Sequence, residues 1–192
     1  MICSETIERV CLTLDKNSDQ ALDIIKNDCP FQPKEYKKRG FSPFETIAIC
    51  IRDGFIDRYF GTKMIFSPVL RVISNVFPKE FPYHPNWKMS ACHIAYWKLL
   101  PTLDHVIPIA RGGENSIDNI VCTSMLHNSV KSNFTLEEVG WSLGPCGDFK
   151  IWDGMMHWYV MYIDNHPEMK KQPYFKQYFS LALKAIKEYE RE

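Results

Sequence analysis

Between residues 102 and 131 the pattern of apolar residues changes period, and no other stretch limits the fold as much. Thr102 to Ile109 alternates and is rich in β-formers, Arg111-Gly112-Gly113-Glu114-Asn115 is a turn cluster, and Asn119 to Thr123 is a second short β run. Together they predict a β-hairpin with a long loop. Ser124 stands as a cap before Met125, Leu126, Asn128, Val130 and Lys131, so the second strand is expected to run straight into a helix.

The flanks read as helical. Ile7, Val10, Cys11 and Leu14 recur at helical spacing, and Ser18 is placed to cap a second short helix through Ala21, Ile24 and Ile25 that stops before Pro30. A third helix is predicted from Ser42, with Pro43 at its first position and Glu45 three residues after the cap, through Ile47, Ala48 and Ile51 to Gly54. Three prolines between Phe77 and Pro85 exclude a helix interior or a central strand and leave an aromatic-rich loop. Thr135 with Glu138 forms a capping box for a further helix, and Trp152 to Asn165 and Pro173 to Glu190 carry two more helical patterns. The expected class is α+β, divided into an N-terminal helical arm over 1–38, a core over 39–140 and C-terminal helices packed on it over 141–192.

The 192 residues are 45% hydrophobic and 24% charged, a globular balance. Twenty-three Lys and Arg cancel 23 Asp and Glu, so a nucleic-acid partner would be held by a local patch rather than by the field of the whole protein. Residues 1–33 hold three basic and six acidic groups, whereas 34–72 hold eight basic and four acidic. The run Lys34-Glu35-Tyr36-Lys37-Lys38-Arg39 reads first as a solvated turn and second as a phosphate-tracking patch. No apolar stretch approaches the roughly 20 residues of a membrane span, and the acidic N-terminus lacks the marks of a secretory signal. A cytoplasmic protein without a membrane partner is expected. Seven scattered cysteines, never in a C-x-x-C pair, read as buried free thiols.

The segment Leu103-Asp104-His105-Val106-Ile107-Pro108, continued by Arg111-Gly112-Gly113, Asp118-Asn119-Ile120-Val121 and His127-Asn128-Ser129-Val130-Lys131, resembles the HNH endonuclease family. The resemblance implies a ββα-metal unit, in which a hairpin and one helix clasp a single divalent cation. The three motif positions fall on His105, Asn119 and Asn128, separated by fourteen and nine residues, which makes an H-N-N variant. Of the two catalytic-motif residues His105 and Asn119, the first is implied to be the general base and the second to pin the hairpin loop without touching metal.

These residue types suit phosphodiester hydrolysis. A neutral imidazole, with a reference pKa of ~6.5, accepts a proton from attacking water near neutral pH. Asp104 and Asn128 offer hard oxygen donors of the kind Mg²⁺ or Mn²⁺ accepts, with positions left for water and phosphate. Lys131, three residues after Asn128, shares its helical face, and with Arg111, Arg58 and Arg52 forms the candidate nucleic-acid contacts. His127 is an alternative third motif residue, but a ~100° step separates helical neighbours and the spacing favours Asn128.

Many members of the family carry a zinc knuckle, whose four positions fall here on Asp57, Phe60, Ser124 and His127. Such a set does not make a tetrahedral zinc site, so no structural zinc is expected, and apolar packing by Phe55, Phe60, Met125 and Leu126 is expected in its place. His84, His93, His157 and His166 read first as structural, and Trp141, Trp152 and Trp158 as core.

The predicted function is that of a metal-dependent DNA endonuclease or nickase, with RNA open as a substrate. A homodimer and a regulatory protein partner both stay open. So do two other classes: a catalytically silent nucleic-acid-binding module, and a defence or toxin effector whose nuclease is held off by a partner docking on the acidic arm.

Overall fold

The computed structural model describes residues 4–31 and 40–191. The chain divides into two compact units, Met1–Lys38 and Arg39–Glu192; the basic run 34–39 lies outside the described residues.

In the first unit α1 (Ser4–Leu14) packs against α2 (Ser18–Asp28). The cap of α2 is Asn17 rather than Ser18, its Oδ1 accepting from Asp19 N at 3.1 Å and Gln20 N at 3.2 Å. An Asn one residue earlier does the same work as the predicted Ser.

The second unit starts with α3 (Pro43–Arg52), where Ser42 Oγ accepts from Glu45 N at 3.2 Å and Glu45 Oε2 accepts from Ser42 N at 2.7 Å. This reciprocal box with Pro43 at the first position is the start that the sequence predicts. Next come α4 (Ser67–Val76) and the five-residue α5 (Ala95–Leu99), joined by the proline-rich loop. At the other end of the chain lie α7 (Met156–Asn165) and α8 (Pro173–Tyr189). The main core takes Ile47, Cys50 and Ile51 from α3, Val69 and Val72 from α4, Met156, Tyr159 and Ile163 from α7, and Phe175, Ala182 and Ile186 from α8. Each fully buried large apolar side chain contributes ~1.5–3 kcal/mol. Residues 141–192 complete the core of the second unit.

Two helical expectations are corrected by backbone conformation. Gly154 and Met155 adopt φ of 64° and 67°, so α7 starts at Met156 rather than near Trp152. The Thr135–Glu138 box makes both of its hydrogen bonds, at 2.8 and 3.3 Å, yet it closes only a turn that Gly140 ends at φ 67°. Of the described cysteines, Cys50, Cys92 and Cys122 are buried free thiols, whereas Cys11 and Cys146 are exposed. Among the described residues no helix is long and apolar enough to cross a membrane.

The strands β1 (Pro101–His105) and β2 (Ile120–Ser124) form one antiparallel pair, in register from Pro101↔Ser124 to His105↔Ile120. The described residues are thus mixed, mostly helical with this small sheet. A two-stranded ribbon is marginal by itself in water. Here every residue of β2 is buried, and its outer edge is satisfied without a third strand: Cys122 N donates to Asp53 Oδ2 at 2.7 Å and Cys122 O accepts from Arg58 N at 2.9 Å. The helix α6 (Met125–Lys131) follows directly, with Ser124 Oγ accepting from His127 N at 3.0 Å.

Candidate functional site

One side chain shapes the hairpin loop. Asn119 accepts at Oδ1 from Ile107 N and donates through Nδ2 to the carbonyls of Ile107 and Glu114, each at 2.9 Å. Gly113 is required beneath it, because a Cβ there would collide with the Ile107 carbonyl and come within 2.8 Å of Asn119 Nδ2. Asn119 thus sits where a pinning residue would sit, and it does not line the cavity described next.

Between the end of β1 and α6 lies a cavity of about 320 Å³, lined by Asp104, His105, Pro108, Asn128, Ser132 and Asn133 among others. Three side chains that are distant or adjacent in sequence meet there, each held from behind. His105 is the last residue of β1, and its Nε2 lies 2.9 Å from Oδ1 of Asn115. With that oxygen accepting, Nε2 carries the ring proton and Nδ1 keeps a lone pair. Asn115 was legible only as a turn residue; nothing in its surroundings marks it as the partner of a histidine ten residues away.

Asn128 donates from Nδ2 to Thr102 Oγ1 and to the Leu103 carbonyl, both at 3.1 Å. A carbonyl only accepts, so this fixes the orientation of the amide and leaves Oδ1 as its acceptor. Asp104 is buried, and its Oδ2 accepts from the Tyr59 hydroxyl at 2.6 Å and lies 2.8 Å from Lys131 Nζ. Burial, followed by the Asp104 charge, pushes the Tyr59 hydroxyl far above its ordinary pKa, so it stays a donor. The other carboxylate oxygen, Oδ1, is engaged by neither group.

A divalent cation suits this donor set. Asp104 and Asn128 both line this cavity and each keeps a hard oxygen, Oδ1, that the hydrogen bonds above do not use; water could complete an octahedron around Mg²⁺. Among the described residues no group of three or more His, Cys, Asp or Glu side chains is placed to hold a metal ion.

The basic candidates are largely corrected. Lys131 is 0% exposed and donates to the His105 carbonyl at 2.7 Å while pairing with Asp104. It shares the face of Asn128 as predicted, but that face is turned onto β1, so the ammonium meets a carboxylate and not a phosphate. Arg58 pairs with Asp53 at 3.0 Å and donates to the Gly144 carbonyl, with a side chain only 12% exposed. Arg52 grips Asp53 and donates to the carbonyls of Ile117 and Ile120 at 2.9 and 2.6 Å. These two guanidinium groups are fasteners around a fully buried aspartate. Arg111 alone remains half exposed, bridging Glu138 and the carbonyl of Asn133 beside the cavity.

The four knuckle positions do come together. Asp57, fully buried, accepts at Oδ1 from Tyr59 N and Thr123 Oγ1, and at Oδ2 from Ser124 N at 2.9 Å, with His127 Nδ1 at 2.7 Å. Burial by itself would raise the Asp57 pKa; the hydrogen bonds from His127, Ser124 and Tyr59 outweigh it and hold the carboxyl below its ordinary value. The Phe60 ring lies tilted against the His127 ring, centroids 4.0 Å apart, and Trp141 closes the cluster edge-on. A carboxylate hub capped by aromatic rings therefore occupies these positions, in place of the purely apolar packing expected. Phe55 belongs instead to the main core, and Met125 packs against a second cluster around Leu70, Tyr96 and Leu100.

No family model, curated protein or solved structure matches the chain.

Proposed function

We propose that residues 101–131 act as a ββα-metal nuclease site and that the chain is a metal-dependent DNA endonuclease or nickase of the HNH type. One observation supports the reading above all: Asp104, His105 and Asn128 line a single polar cavity, and the hydrogen bonds behind each leave an oxygen or nitrogen lone pair uncommitted. A core of satisfied polar groups would leave no such set.

In this reading His105 Nδ1 takes the proton from an attacking water, while Asn115 holds the ring in the required tautomer. Asp104 and Asn128 would hold Mg²⁺ or Mn²⁺, which supplies charge neutralisation at the phosphate and at the leaving oxygen. Tyr59 and Lys131 fix Asp104 through Oδ2, which would leave Oδ1 for the cation. Asn119 keeps the loop that carries Asn115 in place. By its resemblance to the HNH family the cut would leave a 5′-phosphate and a 3′-hydroxyl.

The test is incubation of supercoiled plasmid with Mg²⁺ and with EDTA, comparing wild type with His105→Ala and mapping the ends. The expected loss is about 10²–10⁴-fold. Full cleavage by the variant removes His105 as the base. A second reading, the silent nucleic-acid-binding module, draws on Lys131, whose ammonium already neutralises Asp104. EDTA-resistant DNA binding without cutting under any divalent ion would favour it.

A further inference from the structure

Arg9, Arg52, Arg58 and Arg111 each have a carboxylate partner. Arg71 has none among the described residues, and its Nη1 is buried without any hydrogen-bond partner. Its guanidinium instead lies over the ring of Tyr83 at 3.4 Å and near Tyr174 at 5.2 Å. Two aromatic faces hold the plane of the group but satisfy none of its N–H donors. A buried guanidinium nitrogen with no acceptor is costly.

The same side chain lines a cleft of about 220 Å³, together with Ser74, Asn75, Tyr83, Gln172 and Phe175. Among the described residues no acidic one lines it. Asn75 sits one turn after Arg71 on α4, and its Oδ1 already accepts from Gln172 Nε2 at 3.0 Å, so its Nδ2 is left to donate. Ser74 offers nothing further: Tyr96 donates to the Leu70 carbonyl at 2.8 Å, so the Ser74 hydroxyl must donate to Tyr96 at 2.6 Å. Gln172 and Phe175 bring the first turn of the 17-residue α8 to the cleft, and that helix has no side-chain cap. Its first residue, Pro173, has no N–H, and Lys176 N donates to the Gln172 carbonyl, so the N–H groups of Tyr174 and Phe175 are the ones without an intrahelical carbonyl, and the helix dipole adds partial positive charge there.

We propose that this cleft is an oxyanion site that takes a phosphate group. Donors of three kinds border it, with no carboxylate among the described lining residues: a planar guanidinium, a side-chain amide and the first turn of α8. That number of donors suits the several oxygens of a phosphate better than the two of a carboxylate. The site is independent of the nuclease reading, since none of its residues lines the Asp104 cavity.

The experiment is calorimetric titration of the full-length protein with inorganic phosphate, in EDTA at constant ionic strength, with acetate as the carboxylate control. Wild type should bind one phosphate, Arg71→Gln should weaken binding at least about tenfold, and Asn75→Leu several-fold. Circular dichroism monitors the fold; Asn75 is exposed, so its variant carries the test if Arg71→Gln is misfolded. A 5′-phosphorylated oligonucleotide is then compared with its unphosphorylated twin. Tighter binding of the phosphorylated strand than of inorganic phosphate, lost in the variants, supports the site and identifies a nucleic-acid end as the source; preference for the free ion supports the site and identifies free phosphate. Absence of saturable phosphate binding, equal binding by both variants, or acetate binding as tightly as phosphate overturns the proposal.

Discussion

Two aspartates, Asp57 and Asp104, flank the same hairpin and are used in opposite ways. Asp57 has both oxygens engaged by four donors from Tyr59, Thr123, Ser124 and His127. Asp104 has one oxygen doubly engaged and the other left at a cavity. Neighbouring residues of α6 divide between the regions, His127 going to the first and Asn128 to the second. Tyr59 joins them, with its backbone N–H on Asp57 and its hydroxyl on Asp104. A polar cluster with every atom satisfied fastens a fold; a polar cluster with lone pairs left over on one side can bind or react.

The contrast is broken most severely at the closed cluster. Asp57→Ala leaves four donors facing a buried gap, and urea unfolding should show a loss of about 3–5 kcal/mol. A loss below 1 kcal/mol would mean that the cluster fastens little. The Asp57 carboxyl has a lowered pKa when folded, so its stabilisation is present above the unfolded value of ~3.9 and fades as pH falls through the folded one. Acid titration of urea unfolding should therefore show wild type losing stability below about pH 4, with the Asp57→Asn profile flatter over the same window. Parallel profiles would contradict the assignment.

Tyr59→Phe removes only the link to Asp104. It should cost about 1.5–3 kcal/mol, as for a hydrogen bond to a charged group, and raise the Mg²⁺ concentration needed for cleavage. Unchanged metal titration would separate Tyr59 from the site. The smallest effect belongs to Arg111→Ala, where both partners are about half exposed; thermal unfolding should register less than about 1 kcal/mol.

The hairpin, its loop and its capped helix were legible in the sequence because their determinants are local. Ser124 caps the helix that starts beside it, and Asn119 bonds residues within twelve positions. The cationic contacts were not legible. Whether Arg52, Arg58 and Lys131 face solvent depends on Asp53 and Asp104 and on the helices that bury them, and burial is a property of the packed chain. Lys131 shows this best: its helical face was read correctly, but what covers that face is set by a strand 26 residues earlier. The Thr135–Glu138 box is a different case. The capping chemistry forms as read, and Gly140 then ends the turn before a helix can grow.

The most direct measurement of the central claim is anomalous diffraction from crystals soaked in Mn²⁺. The account predicts one peak in the cavity, roughly 2.0–2.3 Å from Oδ1 of both Asp104 and Asn128, with the His105 ring alongside. A crystal with no peak there, or with manganese bound only elsewhere on the protein, would contradict it.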